Sequence, residues 1–139
     1  MKNDQGPILE FRDETQTHAC LKEWQKRLFL DDWIIKVEVK PLEEMSDKDH
    51  IGENDYQFVL KSSIISIGRF GDREGINKMP HELTLVHELL HLKFVFADGV
   101  KDTTEGAFFG AHEHMLIEQM AKSLIMAKYD LPFSWFENF

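Results

Sequence analysis

The stretch Leu83–Leu92, with the sequence LTLVHELLHL, is the part of the chain that says most about its fold and its function. It contains an H-E-x-x-H pattern, from His87 to His91, within an otherwise strongly apolar segment. In an α-helix, positions four apart differ by roughly 40° around the axis and lie one turn apart on one face. The segment therefore predicts a helix that presents both histidines to the same point in space.

Two imidazoles in this arrangement are typical ligands of one metal ion. Their ring nitrogens can reach a Zn²⁺ ion at roughly 2.0–2.1 Å. Glu88, next to His87, then points into the same cleft and can take a proton from a metal-bound water whose pKa is lowered to about 7. This constellation is typical of zinc hydrolases, most often peptidases. We therefore predict that His87 and His91 bind zinc and that Glu88 is the general base.

A catalytic zinc usually has three protein ligands and one water. In one class of zinc peptidase, a glycine three residues and a histidine six residues after the motif complete the site, but Phe94 and Ala97 occupy those positions here. The chain has one cysteine, Cys20, so any metal must be held by histidine and carboxylate groups. The segment Gly110–Glu118, GAHEHMLIE, supplies several candidates.

Glu113 is our predicted third ligand. It lies 113 − 91 = 22 residues after His91, which leaves room for a turn and one helical approach. It also begins a stripe with i, i+3, i+4, i+7 spacing, which places it at the end of a buried helix face; the other members are Leu116, Ile117, Met120 and Leu124. Three alternatives stay open: His112 and His114 as ligands, second-sphere donors or oxyanion stabilisers, and Glu118 on a wetter face.

Other polar residues favour simpler interpretations. Asp98 resembles a late acidic ligand of another zinc-peptidase class, but Asp98-Gly99 is more simply a helix stop. Cys20 could bind the metal as an inhibitory thiolate, yet a small buried residue is the simpler prediction. We expect His18, His50 and His81 to be surface histidines.

The remaining sequence predicts a single α+β domain, residues 1–139, with three helices and a small sheet. The expected elements are a flexible arm at 1–13, a helix over Thr15–Leu30, a strand over Trp33–Lys40, an acidic loop over 42–55, strands over Tyr56–Leu60 and Ser63–Ile67, a glycine-containing loop over Gly68–Lys78, the motif helix over Pro80–Ala97, and a last helix from Glu105 or Gly106 to Tyr129.

Composition restricts the partners of the chain. Its 139 residues are 42% hydrophobic and 29% charged, which is ordinary for a globular domain with a core. The net charge of −9 argues against sequence-independent nucleic-acid binding and against docking on anionic lipid. The polar start of the chain, Met1–Pro7, does not look like a signal peptide, and no apolar run approaches 18 residues. We therefore expect a cytoplasmic protein that does not span a membrane.

Two segments resemble small gluzincin-like zinc metallopeptidases. They are Val86–Leu92, VHELLHL, and Glu113–Glu118, EHMLIE, on the expected last helix. Upstream, Leu28–Val37, LFLDDWIIKV, is similar to the start of the first strand in SprT-like and phage-encoded zinc metallopeptidases. The H-E-x-x-H motif is the most specific part of a resemblance that covers about residues 20–128.

The resemblance implies a zincin-like fold, in which a small twisted sheet and a helix behind it leave an active-site cleft between the sheet edge and the motif helix. It also implies that the last strand before the motif, here Ser63–Ile67, pairs with an extended substrate by strand addition. The sequence departs from the family in two respects. It shows no zinc ribbon or DNA-binding part, and the N-E-x-x-x-D signature is absent because His112 precedes Glu113.

These features predict a zinc-dependent metallopeptidase that hydrolyses a protein or peptide substrate, with Zn²⁺ held by His87, His91 and Glu113. The alternative is a catalytically silent zincin-fold protein whose cleft binds a peptide and regulates a partner. A third possibility is a latent protease whose arm, residues 1–13, covers the cleft. Neither the cleavage preference nor the oligomeric state follows from the sequence.

Overall fold

A computed structural model describes residues 6–46, 51–70, 79–100 and 102–138. Within these ranges the chain forms an α+β fold, as predicted, with three α-helices around one three-stranded sheet. The elements are α1 (Glu14–Arg27), β1 (Ile34–Pro41), β2 (Gly52–Gln57), β3 (Ser62–Arg69), α2 (His81–Lys93) and α3 (Thr104–Tyr129), with short 3₁₀ segments at Leu42–Glu44, Val95–Val100 and Phe133–Asn138.

The sheet has the strand order β1-β3-β2. β1 runs parallel to β3, with Val37 opposite Ile65, and β2 runs antiparallel to β3, with Asn54 opposite the same residue. The prediction that Ser63–Ile67 is the substrate-binding edge is therefore wrong, because this strand is hydrogen-bonded on both sides. In the described part of the chain the two edges of the sheet are β1 and β2.

Helix α2 forms the centre of the core. It is apolar on several sides, which is typical of a helix buried all round rather than amphipathic. Its contacts are with β2, β3, α1 and α3. Five of its apolar side chains are no more than 2% exposed: Leu83, Leu85, Val86, Leu89 and Leu90. The motif histidines are therefore held by a helix whose apolar side chains are packed into the core.

Several elements begin or end at other residues than predicted, because apolar residues near their ends were assigned to a strand or helix that does not include them. β2 covers Gly52–Gln57, so part of the predicted acidic loop is a strand and Phe58–Leu60 instead form an exposed turn. The predicted glycine-containing loop falls largely on residues 71–78, outside the described residues. α2 ends at Lys93, four residues earlier than predicted, and continues as the 3₁₀ segment. α1 ends at Arg27, and Phe29 has a positive φ of 56° and is 85% exposed.

The described part of the predicted arm is anchored rather than loose. The first two amides of α2 donate to it, from His81 N to Leu9 O at 2.9 Å and from Glu82 N to Ile8 O at 3.1 Å. Phe11 is 1% exposed. This segment therefore supplies acceptors for the start of α2, whose amides lack partners within the helix. Residues 1–5 lie outside the described residues.

The same contacts bury His81, which is fully enclosed and not at the surface as predicted. Its Nδ1 accepts from Phe11 N at 3.0 Å, and its Nε2 donates to the carbonyl of Gly68 at 3.2 Å. His18 is exposed, as predicted, and His50 lies outside the described residues.

Candidate metal centre

Three histidines converge where α2 meets α3. His87 and His91 lie one turn apart on α2, and His114 faces them from α3. Their candidate ligand atoms all lie within 4.8 Å of one another, and the ring of His87 is centred 5.1 Å from that of His91 and 4.9 Å from that of His114. The predicted placement of both motif histidines on one face is confirmed, and the three imidazoles are close enough together to hold one metal ion.

The cluster is closed on the α2 side and open on the α3 side. The side chain of His87 is 11% exposed, His91 is partly buried and His114 is exposed. A catalytic metal site needs this asymmetry, since protein ligands hold the ion from within while one position faces solvent. The arrangement therefore leaves a route by which water or a substrate can approach.

Glu118 fixes the orientation of the most buried ring. The Nδ1 atom of His87 lies 2.9 Å from Oε2 of Glu118, and this hydrogen bond lowers the pKa of the carboxyl group. An N–H group at Nδ1 directed to a carboxylate leaves Nε2 with its lone pair available for a metal. Glu118, an alternative ligand in the sequence, is thus placed as an orienting partner of His87.

His91 is held in the neutral state that binds metals. Burial, together with the neighbouring rings of His87 and His114, lowers its pKa to about 4. A metal competes with protons for an imidazole nitrogen, so a ring that is already neutral at pH 7 binds without releasing a proton. A set of three imidazole ligands suits Zn²⁺ and also other divalent transition metals.

Glu88 lies between the motif helix and β2. It is 8% exposed, and Gly52 of β2 packs so closely that a Cβ atom there would lie 2.9 Å from Oε2 of Glu88 and 2.7 Å from Cγ2 of Thr84. The amide of Asn54, two residues along β2, donates to the backbone carbonyl of Glu88 at 2.8 Å. The motif carboxylate is therefore positioned against the edge strand, on the helix that supplies two of the three histidines.

The predicted third ligand, Glu113, does not join the cluster; its neighbour His114 does. Burial and the charge of Asp98 raise the pKa of Glu113, and Asp98 in turn accepts a hydrogen bond from the hydroxyl of Tyr56. Burial and this bond raise the pKa of Tyr56 to about 12. Glu113 thus belongs to a separate polar group with Asp98 and Tyr56.

His114 joins the cluster in place of Glu113 because of the way α3 is rotated about its own axis. The fully buried positions are Ile117, Ala121 and Ile125, and Leu116 of the predicted stripe is 38% exposed. The buried face is therefore displaced by one residue, roughly 100° around the helix, from the predicted face. A usable signal was present in the sequence: His114 and Glu118 lie four apart, as His87 and His91 do, so each pair shares one helix face.

The other candidates lie apart from the cluster. The Nδ1 atom of His112 lies 2.9 Å from the carbonyl of Phe108, and its side chain is exposed. Cys20 is buried in α1, where burial raises the pKa of its thiol well above the usual range, so it is a packed core residue. Asp98 lies within the 3₁₀ segment, five residues beyond the end of α2 at Lys93, so the prediction that it stops the motif helix is wrong.

The outer edge of β2 runs past Glu88. Gly68 N donates to Ile51 O at 2.7 Å, which sets the alternation of paired and outward-facing residues along this antiparallel pair. By that alternation, the backbone groups of Gly52, Asn54 and Tyr56 point away from β3. Among the described residues no backbone group bonds to them.

Comparisons of the chain with protein-family models, with curated proteins and with solved structures gave no match. The family resemblance therefore stays a prediction, and function has to be inferred from the geometry of the site. No helix in the described ranges is both long and apolar enough to cross a lipid bilayer.

Proposed function

We propose that the chain is a zinc-dependent metallopeptidase whose ligands are His87, His91 and His114 and whose general base is Glu88. The observation that carries this proposal is that candidate ligand atoms of three imidazoles from two helices lie within 4.8 Å of one another. The buried carboxylate of Glu88 belongs to α2, the helix that supplies two of these imidazoles. Zinc bound there would supply an activated water and polarise the scissile carbonyl.

The protein groups would divide the remaining work. Glu88 takes a proton from the attacking water and carries it to the nitrogen of the leaving amine. Glu118 holds the ring of His87 so that one nitrogen stays directed into the cluster, a partnership that fixes the tautomer of a metal ligand. Gly52 lets β2 approach closely enough to fix the carboxylate of Glu88.

An extended peptide would bind along β2. Its backbone can pair with the outward groups of Gly52, Asn54 and Tyr56, since an edge strand accepts one further strand. Because the carboxylate of Glu88 lies against Gly52, a peptide added there would run directly past the base. The strand-addition mode inferred from the family resemblance is therefore transferred from β3 to β2.

The ligand set is tested by matched variants of adjacent residues. Purified chain, loaded with zinc and dialysed, should retain one equivalent of the metal. His114→Ala should lose most of it, whereas Glu113→Ala should retain it, since only His114 belongs to the cluster. Loss of zinc in Glu113→Ala with retention in His114→Ala would show that the assignment is wrong.

The catalytic role is tested separately on casein and on a peptide library. Glu88→Gln should keep stoichiometric zinc and lose hydrolysis by roughly 10²–10⁴-fold, because the ligands remain and the base does not. Undiminished cleavage by this variant would refute the role of Glu88. Peptide binding by the zinc-loaded native chain without turnover would instead establish the alternative, a zincin-fold binding protein.

A further inference from the structure

The sheet has a second open edge, at β1, on the opposite side from Glu88. Ile34 N donates to Lys61 O at 2.8 Å, which fixes the alternation along β1. Residues Ile34, Lys36, Glu38 and Lys40 therefore direct their backbone groups to β3, and Ile35, Val37 and Val39 direct theirs outward. In the part of the chain that the structure describes, no backbone bond reaches these outward groups.

A groove of about 900 Å³ runs between this edge and α1. From the strand, its walls include the partly buried side chains of Ile35, Val37 and Val39. From the helix, they include Thr17 and Leu21, which are buried. The three strand side chains face α1 and pack against the core without being fully covered. The edge thus combines outward-facing backbone groups with an apolar surface and space beside it.

The charges of β1 are arranged to match a second copy of the same strand. Lys36 and Glu38 lie on the other face of the strand, with side chains 71% and 40% exposed. If two copies pair antiparallel about a twofold axis at Val37, each Lys36 lies opposite the partner's Glu38. These are non-hydrogen-bonded pairs, in which opposite side chains come closest.

The backbone is compatible with the same register. Centring the pair on Val37 places Ile35 opposite the partner's Val39, so every outward-facing residue meets another outward-facing residue, with about six inter-strand hydrogen bonds. Shifting the centre by one residue in either direction would place Lys36 opposite Lys36 or Glu38 opposite Glu38. Like charges directly opposite are unfavourable, so the register centred on Val37 is favoured over both of its neighbours.

We propose that β1 is a self-association surface, through which two copies of the chain form a symmetric dimer with a continuous six-stranded sheet. The strand order across the dimer is β2-β3-β1-β1-β3-β2. Self-complementary contact of one patch with itself is the geometry of a twofold dimer. Both β2 edges and both histidine clusters stay accessible at the outer ends, so this inference does not depend on the proposed peptidase function.

The first test is the mass of the full chain by sedimentation equilibrium over a wide concentration range. The native chain should be dimeric at the upper end of the range. Glu38→Lys and Lys36→Glu should each weaken dimerisation by roughly tenfold or more, because each converts two attractive cross-strand pairs into repulsive ones. A native chain that stays monomeric throughout would overturn the proposal.

Lys36 Nζ already lies 3.2 Å from Oε1 of Glu38 within one chain. The second test asks whether loss of this contact, rather than of the contacts between copies, explains the effect of the two variants. Mixing the Lys36→Glu variant with the Glu38→Lys variant should restore a dimer that contains one copy of each. In that dimer the carboxylate introduced at position 36 of one copy faces the ammonium introduced at position 38 of the other. The second cross-strand pair keeps its native residues, Glu38 of the first copy and Lys36 of the second, so both pairs are attractive again.

An ion pair within one chain cannot be repaired by mixing two variants, so the mixture separates the two explanations. Formation of the mixed dimer, at concentrations where each variant alone is monomeric, supports the interface at β1. Failure to form it, with both variants folded by circular dichroism, would show that β1 is not the interface.

Discussion

The ring of His87 on α2 and the carboxylate of Glu118 on α3 meet through a 2.9 Å hydrogen bond. This contact joins the two helices that supply the histidine cluster, and the carboxylate is about one turn from His114 on its own helix. His87 and His91 on α2 are four residues apart, as are His114 and Glu118 on α3, and the two pairs face each other. The site depends on how these helices pack as much as on the motif itself.

Glu118→Gln tests the orienting role. The amide keeps the size of the side chain but removes the negative charge that holds the Nδ1 proton, so the affinity for zinc should fall by roughly 10–100-fold. Competition with a chromogenic chelator measures this affinity. Glu105→Gln, which changes an exposed glutamate in the first turn of the same helix, is the control and should leave zinc affinity unchanged.

Gly52→Ala tests the contact between β2 and Glu88. The added methyl would lie 2.9 Å from Oε2 of Glu88, so the carboxylate or the strand must shift. Hydrolysis should fall by roughly tenfold or more, since small displacements of a catalytic group are costly, while zinc content stays the same. Gly110→Ala in α3 meets no atom within 4 Å and should leave activity intact while stabilising the helix by about 0.5–1 kcal/mol. Equal activity in both variants would contradict the assigned position of Glu88.

Lys128→Met tests a buried ion pair. Glu82 has no exposed surface and accepts hydrogen bonds from Lys128 Nζ at 2.7 Å, Tyr129 Oη at 2.6 Å and Trp24 Nε1 at 2.8 Å. Removing the ammonium leaves a buried charge without its cation, which should lower the free energy of unfolding by about 3–5 kcal/mol. Urea denaturation gives this value. Lys26→Met, at an exposed position of α1, should change stability by less than about 0.5 kcal/mol.

His81 should make stability depend on pH. Burial lowers its pKa below the ordinary value of 6.5, and its Nδ1 must accept from Phe11 N in the folded chain. The unfolded chain then binds more protons than the folded chain below about pH 6.5. The contribution of His81 to the free energy of unfolding is therefore fully present above that pH, and it is lost as the pH falls through the lowered pKa of the folded state.

The measurement is the change in unfolding free energy between pH 7 and pH 5 for the native chain and for His81→Asn. Asparagine keeps an acceptor near the position of Nδ1 but does not titrate. The variant should therefore lose less stability than the native chain over this interval, while the other histidines contribute equally to both. An identical loss in the two proteins would show that His81 does not contribute to the pH dependence.

Much of the fold follows from local patterns. The run of β-branched residues predicted β1, Ser63–Ile67 predicted β3, and the apolar segments predicted α2 and α3 near their observed positions. The predicted position of β2 was too far along the chain, because Phe58–Leu60 have side chains that favour strands. In the structure these residues form the exposed turn before β3. The pairing of Gly52–Gln57 with β3 depends on contacts with α2, which no local pattern contains.

The facing of His87 and His91 was determined by the sequence alone, because the helical repeat relates residues four apart wherever the helix lies. The choice of His114 over Glu113 was made by the tertiary structure. The rotation of α3 about its axis is set by how Ile117, Ala121 and Ile125 pack into the core, and a turn of one residue exchanges the two side chains. A chain encodes the period of each helix locally, but the direction in which a helix faces is fixed only by the surfaces it packs against.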